Sequence, residues 1–458
     1  VIGASPNGLA AAIVLAQMGW KVSVLESEAQ PGGAARTLEL TLPGFRYDFG
    51  SAVYPFAAGS PFFSYLPLSN HGLEWIHSPC PLAHPFDDRT AITLERDLRT
   101  AESALGEDGS AWRRIMQPFV ERWSELSALV LRPGRLLSQN PLLMARFGLL
   151  ALPSAKTLAG VFFRRERTKA LFAGMAAHSF LSLDQPLLLG ASAHAVGWPI
   201  ARGGAQSLTD ALCGYLAELG GQVKTSARVD SLASLGKYDV TMCDVTPRQL
   251  VRMAGERLSA RYKARLAKYR YGPAAFKVDY ALSSPIPGKA TECSRAATVH
   301  LSGSAKEIAA SEAAMQHGHS DRPFVILVQP TLFDPRRAPA GKHIAWAYCQ
   351  VANGSEFDML EKLESQIERF APGFRDCVLA RRVFSPAGLE SMDANLIGGD
   401  ISGGAMDIRQ FFSRPTWRHY ATSAEDIYLC SSSTPPGGGV HAMCGYHAAR
   451  LAASKRKV

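Results

Sequence analysis

Residues with the types and spacing to grip an anionic nucleotide stand at the start of the chain. Gly3-Ala4-Ser5-Pro6-Asn7-Gly8 is a glycine-rich turn, and Glu26 follows about twenty residues later. Glycine lets a backbone approach a pyrophosphate, a helix start offers free N–H groups and partial positive charge, and a carboxylate accepts hydrogen bonds from ribose hydroxyls. The combination predicts a dinucleotide held across the turn. The second glycine of G-x-G-x-x-G is Ser5 here, which could crowd the ligand or donate a hydrogen bond to it. A plain strand-helix-strand unit would carry the same pattern. Behind Glu26, Gly32-Gly33 and Arg36 suggest a backbone turn under a phosphate with a cation beside it, although a surface turn would be equally glycine-rich. Near the other end, Pro435-Pro436-Gly437-Gly438-Gly439-Val440-His441 leads from a short apolar strand into a closing helix, with Ser432 just before it. That is a second helix start suited to an anionic group. Lys277 and Asp279 share one strand face, as an acid-base pair or a salt bridge.

The elements that would carry these residues follow from periodicity and punctuation. Residues 1–2 end a buried strand, 9–18 form an alanine-rich helix stopped by Gly19, and 21–25 form a second strand. Residues 45–54 bring Asp48 and Gly50 back toward the same cleft. From 61 to about 190 the strand-helix-strand rhythm is lost and the chain reads as helical, amphipathic at 112–131. Residues 132–171 set Arg132, Arg135, Arg146, Lys156, Arg164, Arg165, Arg167 and Lys169 against the single acid Glu166. Such a layer could dock on anionic lipid or frame an oily tunnel; a cap whose cations face water is the plainer reading. Glycine turns return at 197–204, before a helix at 205–219 and strands at 223–229 and 238–244. A basic helix is predicted at 252–270. Alternating runs at 276–282, 297–302, 324–329 and 343–351 predict a sheet with one face buried, and 359–370 a further amphipathic helix.

At 458 residues the chain exceeds one ordinary core, so two interleaved domains are expected. A composition of 47% hydrophobic and 19% charged residues is that of a globular protein without disordered bulk. The formal charge of +9 permits attraction to anionic membrane surfaces, and no nucleic-acid partner is expected. Eight cysteines include no C-x-x-C pair, which argues against a dithiol redox centre and a structural zinc site, and for a reducing, cytoplasmic compartment. No bound metal is expected. The chain opens inside its first strand, so a preceding segment is expected and targeting is not read from this end.

Gly3 to Gly8, Glu26, the Gly32-Gly33 turn with Arg36, and above all residues 427–449 resemble the phytoene-desaturase-like family of FAD-dependent oxidoreductases, in the larger group that includes amine oxidases and protoporphyrinogen oxidase. The nearest branch is the one typified by pyridine nucleotide-disulphide oxidoreductase domain-containing protein 2. The resemblance implies an α/β fold in which a Rossmann-like FAD-binding domain of glutathione-reductase or amine-oxidase type (1–60, 195–250 and 395–458) is interleaved with a substrate domain of mixed sheet and helical cap (61–194 and 251–394). It implies FAD held by Gly3, Ser5, Pro6, Asn7, Gly8, Glu26, Gly32, Gly33, Arg36, Val229, Ser432, Gly438, Gly439 and Val440. Val229 matches the position whose backbone meets the adenine. Arg202 matches a motif under the flavin, where it could counter charge on the reduced ring or simply pair with a surface acid. His441, after the turn facing the flavin, could exchange a proton or be a structural hydrogen bonder; it and Arg202 are the catalytic candidates. Ser431 and Ser432 replace a glycine and an acid or alanine of the wider group, which keeps the backbone donors and loses a carboxylate contact to the ribityl chain. The implied activity is dehydrogenation or desaturation of a small apolar, polyene or lipid-like substrate; because no second glycine fingerprint provides a nicotinamide domain, oxygen or a quinone is expected as electron acceptor ahead of a nicotinamide, and the basic layer at 132–171 allows peripheral membrane contact. A flavin amine oxidase and a non-catalytic flavoprotein scaffold are the alternatives.

Overall fold

Ile2 lies at the centre of the first layer, bridging Leu25 on one side and Cys243 on the other, both in parallel. Outside these, Ser23–Leu25 pairs with Gln222–Lys224 and Thr241–Cys243 with Ile427–Leu429, again parallel. This is a computed structural model; it describes residues 1–132, 140–178, 185–315, 318–407, 410 and 413–455, so Arg135 of the basic stretch lies outside the described residues. Parallel neighbours need crossovers, and the helix Pro6–Gln17 makes the first one, packed between Gln206–Glu218 and Met443–Lys455. Ser5 starts that helix by accepting the Asn7 N–H at 3.2 Å, and Gly19 ends it at φ +83°. Every residue from Pro6 to Ala16 is buried, which explains a helix apolar on all sides. Close approach is enforced at Gly445, where a Cβ would sit 1.8 Å from the Asn7 carbonyl oxygen.

The second layer is a seven-stranded sheet in the order Val378–Phe384, Ala274–Leu282, His343–Val351, Val325–Val328, Ala296–Leu301, Cys80–Pro85, Ala91–Leu94. Its pairs are antiparallel except Ala296–Leu301 beside Cys80–Pro85. All nine residues of Ala274–Leu282 are buried, so the expectation of a single buried face is corrected. Phe276, Val278, Tyr280 and Leu282 pack into one core, whereas Ala275 and Lys277, on the other face, line a cavity. The period of two was real; what it marked was apolar core against cavity rather than core against solvent.

Other expectations shift with identifiable causes. The stretch predicted helical from 61 to 190 contains Cys80–Pro85 and Ala91–Leu94, whose complete or near-complete burial removes the alternation that announces a strand. Residues 112–131 divide into Gly109–Val120, which carries Pro118, and Trp123–Val130. The basic helix of 252–270 breaks at Gly255, φ +52°, into Pro247–Ala254 and Ala260–Leu266. The strands expected at 223–229 and 238–244 shorten to Gln222–Lys224 and Thr241–Cys243.

Candidate functional site

Where the two layers meet there is a cavity of about 350 Å³. The parallel layer contributes Ser5, Pro6, Asn7, Asp244 and Ser431 to Ser433, and the proline-glycine turn adds Gly438, Gly439 and Val440. The seven-stranded sheet contributes Ala275, Lys277, Trp346 and Tyr348, with Phe49, Phe56, Leu189 and Trp198 completing an apolar side. Trp346 and Tyr348 stack at 5.7 Å between ring centroids. The Lys277 ammonium is 5.8 Å from the Trp346 ring and paired with the buried Asp279 carboxylate on its own strand. The pair is a salt bridge along one strand. Burial pushes Asp279 up to about 6 in spite of Lys277.

Three acids line the cavity. Asp244 accepts the Gly8 N–H at 3.0 Å and a hydrogen bond from the Ser5 hydroxyl, yet burial pushes its carboxyl up to about 7. Burial also raises Asp393, which accepts the Asn395 N–H, and Asp400, which accepts the Gly272 and Ser402 N–H groups. Beneath the closing turn, the buried Arg414 donates to the carbonyls of Ser402 and Ser432 at 3.0 and 2.9 Å, tying two lining segments together.

The predicted residues fall into three groups. Ser5, Pro6, Asn7, Ser432, Gly438, Gly439 and Val440 line the cavity, with the Asn7 amide donating to Ser432 at 3.3 Å. Gly3, Gly8, Glu26, Gly32, Gly33, Arg36 and Val229 stand behind this lining. A Cβ on Gly8 would meet the Gly3 carbonyl oxygen at 2.2 Å, so the turn closes only around glycine. Glu26 is buried and accepts the Ala4 N–H at 2.7 Å and the Glu28 N–H at 3.0 Å. Gly33 presses on Ser5, and Arg36 donates to the Gly33 and Met392 carbonyls at 2.7 and 2.8 Å, holding the second glycine turn. Val229 packs beside Ile2 and Leu232.

The two catalytic candidates are not in the lining. His441 is 1% exposed; its Nδ1 accepts the Met443 N–H at 3.0 Å and so caps the closing helix, and burial pushes its pKa down to about 4. Arg202 pairs with the exposed Glu74 at 2.5 Å and opens on a separate, smaller pocket. Of its two readings, pairing with a surface acid is what the geometry displays.

Sequence reading missed Asp244, Asp393, Asp400 and Arg414. A signal existed for Asp244, because ligands of open α/β sheets sit at the carboxyl ends of parallel strands and Asp244 directly follows one.

The lining carries unmet hydrogen-bonding capacity. The N–H groups of Ser5, Gly438, Gly439 and Val440 have no acceptor among the described residues. Asn7 Oδ1 is buried without a partner. Backbone donors at a helix start and a glycine turn, beside an apolar wall, fit a dinucleotide with an aromatic ring system. Fold and cavity together define an FAD-dependent oxidoreductase of α/β type. The chain belongs to the flavin containing amine oxidoreductase family, whose model matches residues 7–254, more than half of its length. It is 26% identical to pyridine nucleotide-disulfide oxidoreductase domain-containing protein 2 of Rattus norvegicus, over 98% of this chain and 92% of that protein. It is 25% identical to the phytoene dehydrogenase of Streptomyces griseus, over 96% and 91%. A solved oxidoreductase from Methanosarcina mazei shares the fold, with TM-score 0.65 and 16% identity over 98% of this chain and 99% of that one. The protein is thus a flavoprotein that uses FAD, a small substrate and an electron acceptor.

Proposed function

We propose that the chain is a dehydrogenase or desaturase of an apolar, polyene or lipid-like molecule, bound against Phe49, Phe56, Trp198, Trp346 and Tyr348. FAD, when bound, supplies the acceptor for hydride. Ser5 and Asn7 would hold its pyrophosphate, Glu26 its ribose, and Gly438 to Val440 the flavin through backbone N–H groups. Lys277 offers positive charge in the cavity, and the aromatic wall excludes water from the substrate.

The observation that carries the reading is Lys277 beside the stacked Trp346 and Tyr348. An aromatic pair alone would suit a cationic amine, and the family model's description favours an amine oxidase as the second reading. The Lys277 ammonium, 5.8 Å from the Trp346 ring, already occupies the place over that ring where a cationic amine would stack and leaves an apolar substrate favoured. Electrons then pass to oxygen or a quinone. Supply from a membrane is consistent with Leu142, Leu149, Leu152 and Val161, each more than 70% exposed on Pro141–Ala151, Ala155–Phe162 and the link between them, with exposed Arg146 and Lys156 beside them. No single helix among the described residues is long and apolar enough to cross a membrane. Anaerobic mixing of the FAD-loaded protein with a long polyene and, separately, with primary amines tests the proposal. Bleaching of the flavin by the polyene alone is expected; bleaching by amines alone would replace this reading with the second.

A further inference from the structure

Away from the cavity, four arginines converge on a pocket of about 270 Å³: Arg46, Arg202, Arg336 and Arg337, with Gly72 and Gly203. They come from three separate stretches of chain, Arg336 and Arg337 being neighbours, so the charge is assembled by the fold and not by a basic run. Three acids hold the arginines in place: Glu74 pairs with Arg202 at 2.5 Å, Asp334 with Arg336 at 2.9 Å, and Asp48 with Arg337 at 3.0 Å. None of these acids is part of the pocket wall. Asp334 also accepts the Gly203 N–H at 2.6 Å, which turns its carboxylate toward the backbone.

Two guanidinium groups are left incompletely matched. Arg337 is 1% exposed and donates through Nε to the Arg46 carbonyl at 3.0 Å, while its Nη1 is buried without a hydrogen-bond partner. A buried N–H left unpaired has given up its water without replacement. Arg46 is exposed and forms no ion pair among the described residues, although Glu39 is its register partner across the strand pair. Gly72, at φ +90°, has open space where a side chain would stand. A network built only for stability would close on itself, whereas this one leaves Arg46 without a counter-ion at the pocket and Arg337 with an unmet donor behind it.

We propose that this pocket binds a small oxyanion, a carboxylate or a phosphate group, at a site separate from the FAD cavity. Planar guanidinium forks match both anions in a bidentate manner. No residue lining this pocket lines the larger cavity. The inference therefore stands whichever substrate the flavin serves.

Isothermal titration calorimetry of the protein saturated with FAD, which fills the pyrophosphate turn, tests it. Inorganic phosphate and malonate are titrated in separate arms at constant ionic strength, with chloride as control. Saturable binding of one anion per chain is expected, and the tighter arm identifies the anion class. The Arg46→Gln/Arg336→Gln double variant should weaken it by at least about tenfold with FAD content unchanged and the protein still folded at the titration temperature, and Arg46→Gln alone, which breaks no ion pair among the described residues, should weaken it without moving the melting temperature. Arg46→Lys, which keeps the charge and loses the fork, should fall between the parent and Arg46→Gln. Heats no larger than those of chloride, or a double variant that binds like the parent, would overturn the proposal.

Discussion

Asp244 should make both stability and FAD affinity depend on pH. Its carboxyl is fully buried, contacts the Gly8 N–H and the Ser5 hydroxyl, and is raised from 3.8 to about 7 by burial. Between those values the folded chain holds a proton that the unfolded chain has lost. The associated stability is complete below about pH 4 and disappears as the pH rises through about 7. By linkage this shift is worth at most about 4 kcal/mol. Asp244→Asn keeps an acceptor for Gly8 and carries no charge. The gap between variant and wild type should therefore be small in acid, widen toward neutrality, and level off above pH 7, whatever Asp279, Asp393 and Asp400 contribute to both. Urea unfolding of the FAD-free proteins at a series of pH values measures it. FAD adds a negative pyrophosphate near the same carboxyl, so wild-type affinity, followed by flavin fluorescence, should fall about tenfold per pH unit above the pKa and that of the variant should not. An affinity equally flat in both proteins, or a stability gap the same in acid and base, would refute the reasoning.

Three further perturbations have defined outcomes. Gly33→Ala places a Cβ 3.0 Å from that of Ser5 at φ +56°; the left-handed backbone costs about 1–2 kcal/mol, and FAD titration should give an affinity lower by about tenfold with the circular dichroism spectrum retained. Lys277→Met leaves Asp279 buried without its counter-ion and should destabilise the fold by about 3–5 kcal/mol in urea unfolding, whereas Lys277→Met/Asp279→Leu should recover most of that loss. Replacing Leu142, Leu149 and Leu152 by serine should abolish flotation with vesicles containing anionic lipid and leave FAD content unchanged; a variant that still floats would remove the membrane from the proposal.

The strand, turn, helix and acid at the start of the chain were legible because glycine, periodicity and spacing are local constraints. Residues 1–26 form that unit, and the 435–441 turn stands beside it. His441 and Arg202 illustrate the limit. Each has a residue type that could do chemistry, but only three-dimensional packing shows that one caps a helix and the other faces a surface acid. Ser5 departs from the glycine fingerprint, and the sequence leaves open whether it crowds a ligand or donates to it. The structure gives it two duties, helix cap and partner of Asp244, and the second depends on a residue far along the chain. Asp393, Asp400 and Arg414 were invisible for the same reason: loops from distant segments meet only in the fold. The strands at 80–85 and 91–94 were hidden because burial on both faces erases the alternation by which strands are recognised.

A crystal structure of the protein grown with FAD examines the central claim most directly. Pyrophosphate density is expected at Ser5 and the start of Pro6–Gln17, ribose density at Glu26, and the flavin ring against Gly438-Gly439-Val440, with the Trp346 side left open to substrate. FAD density at any other place, or a cavity that stays empty at saturating FAD, would contradict it.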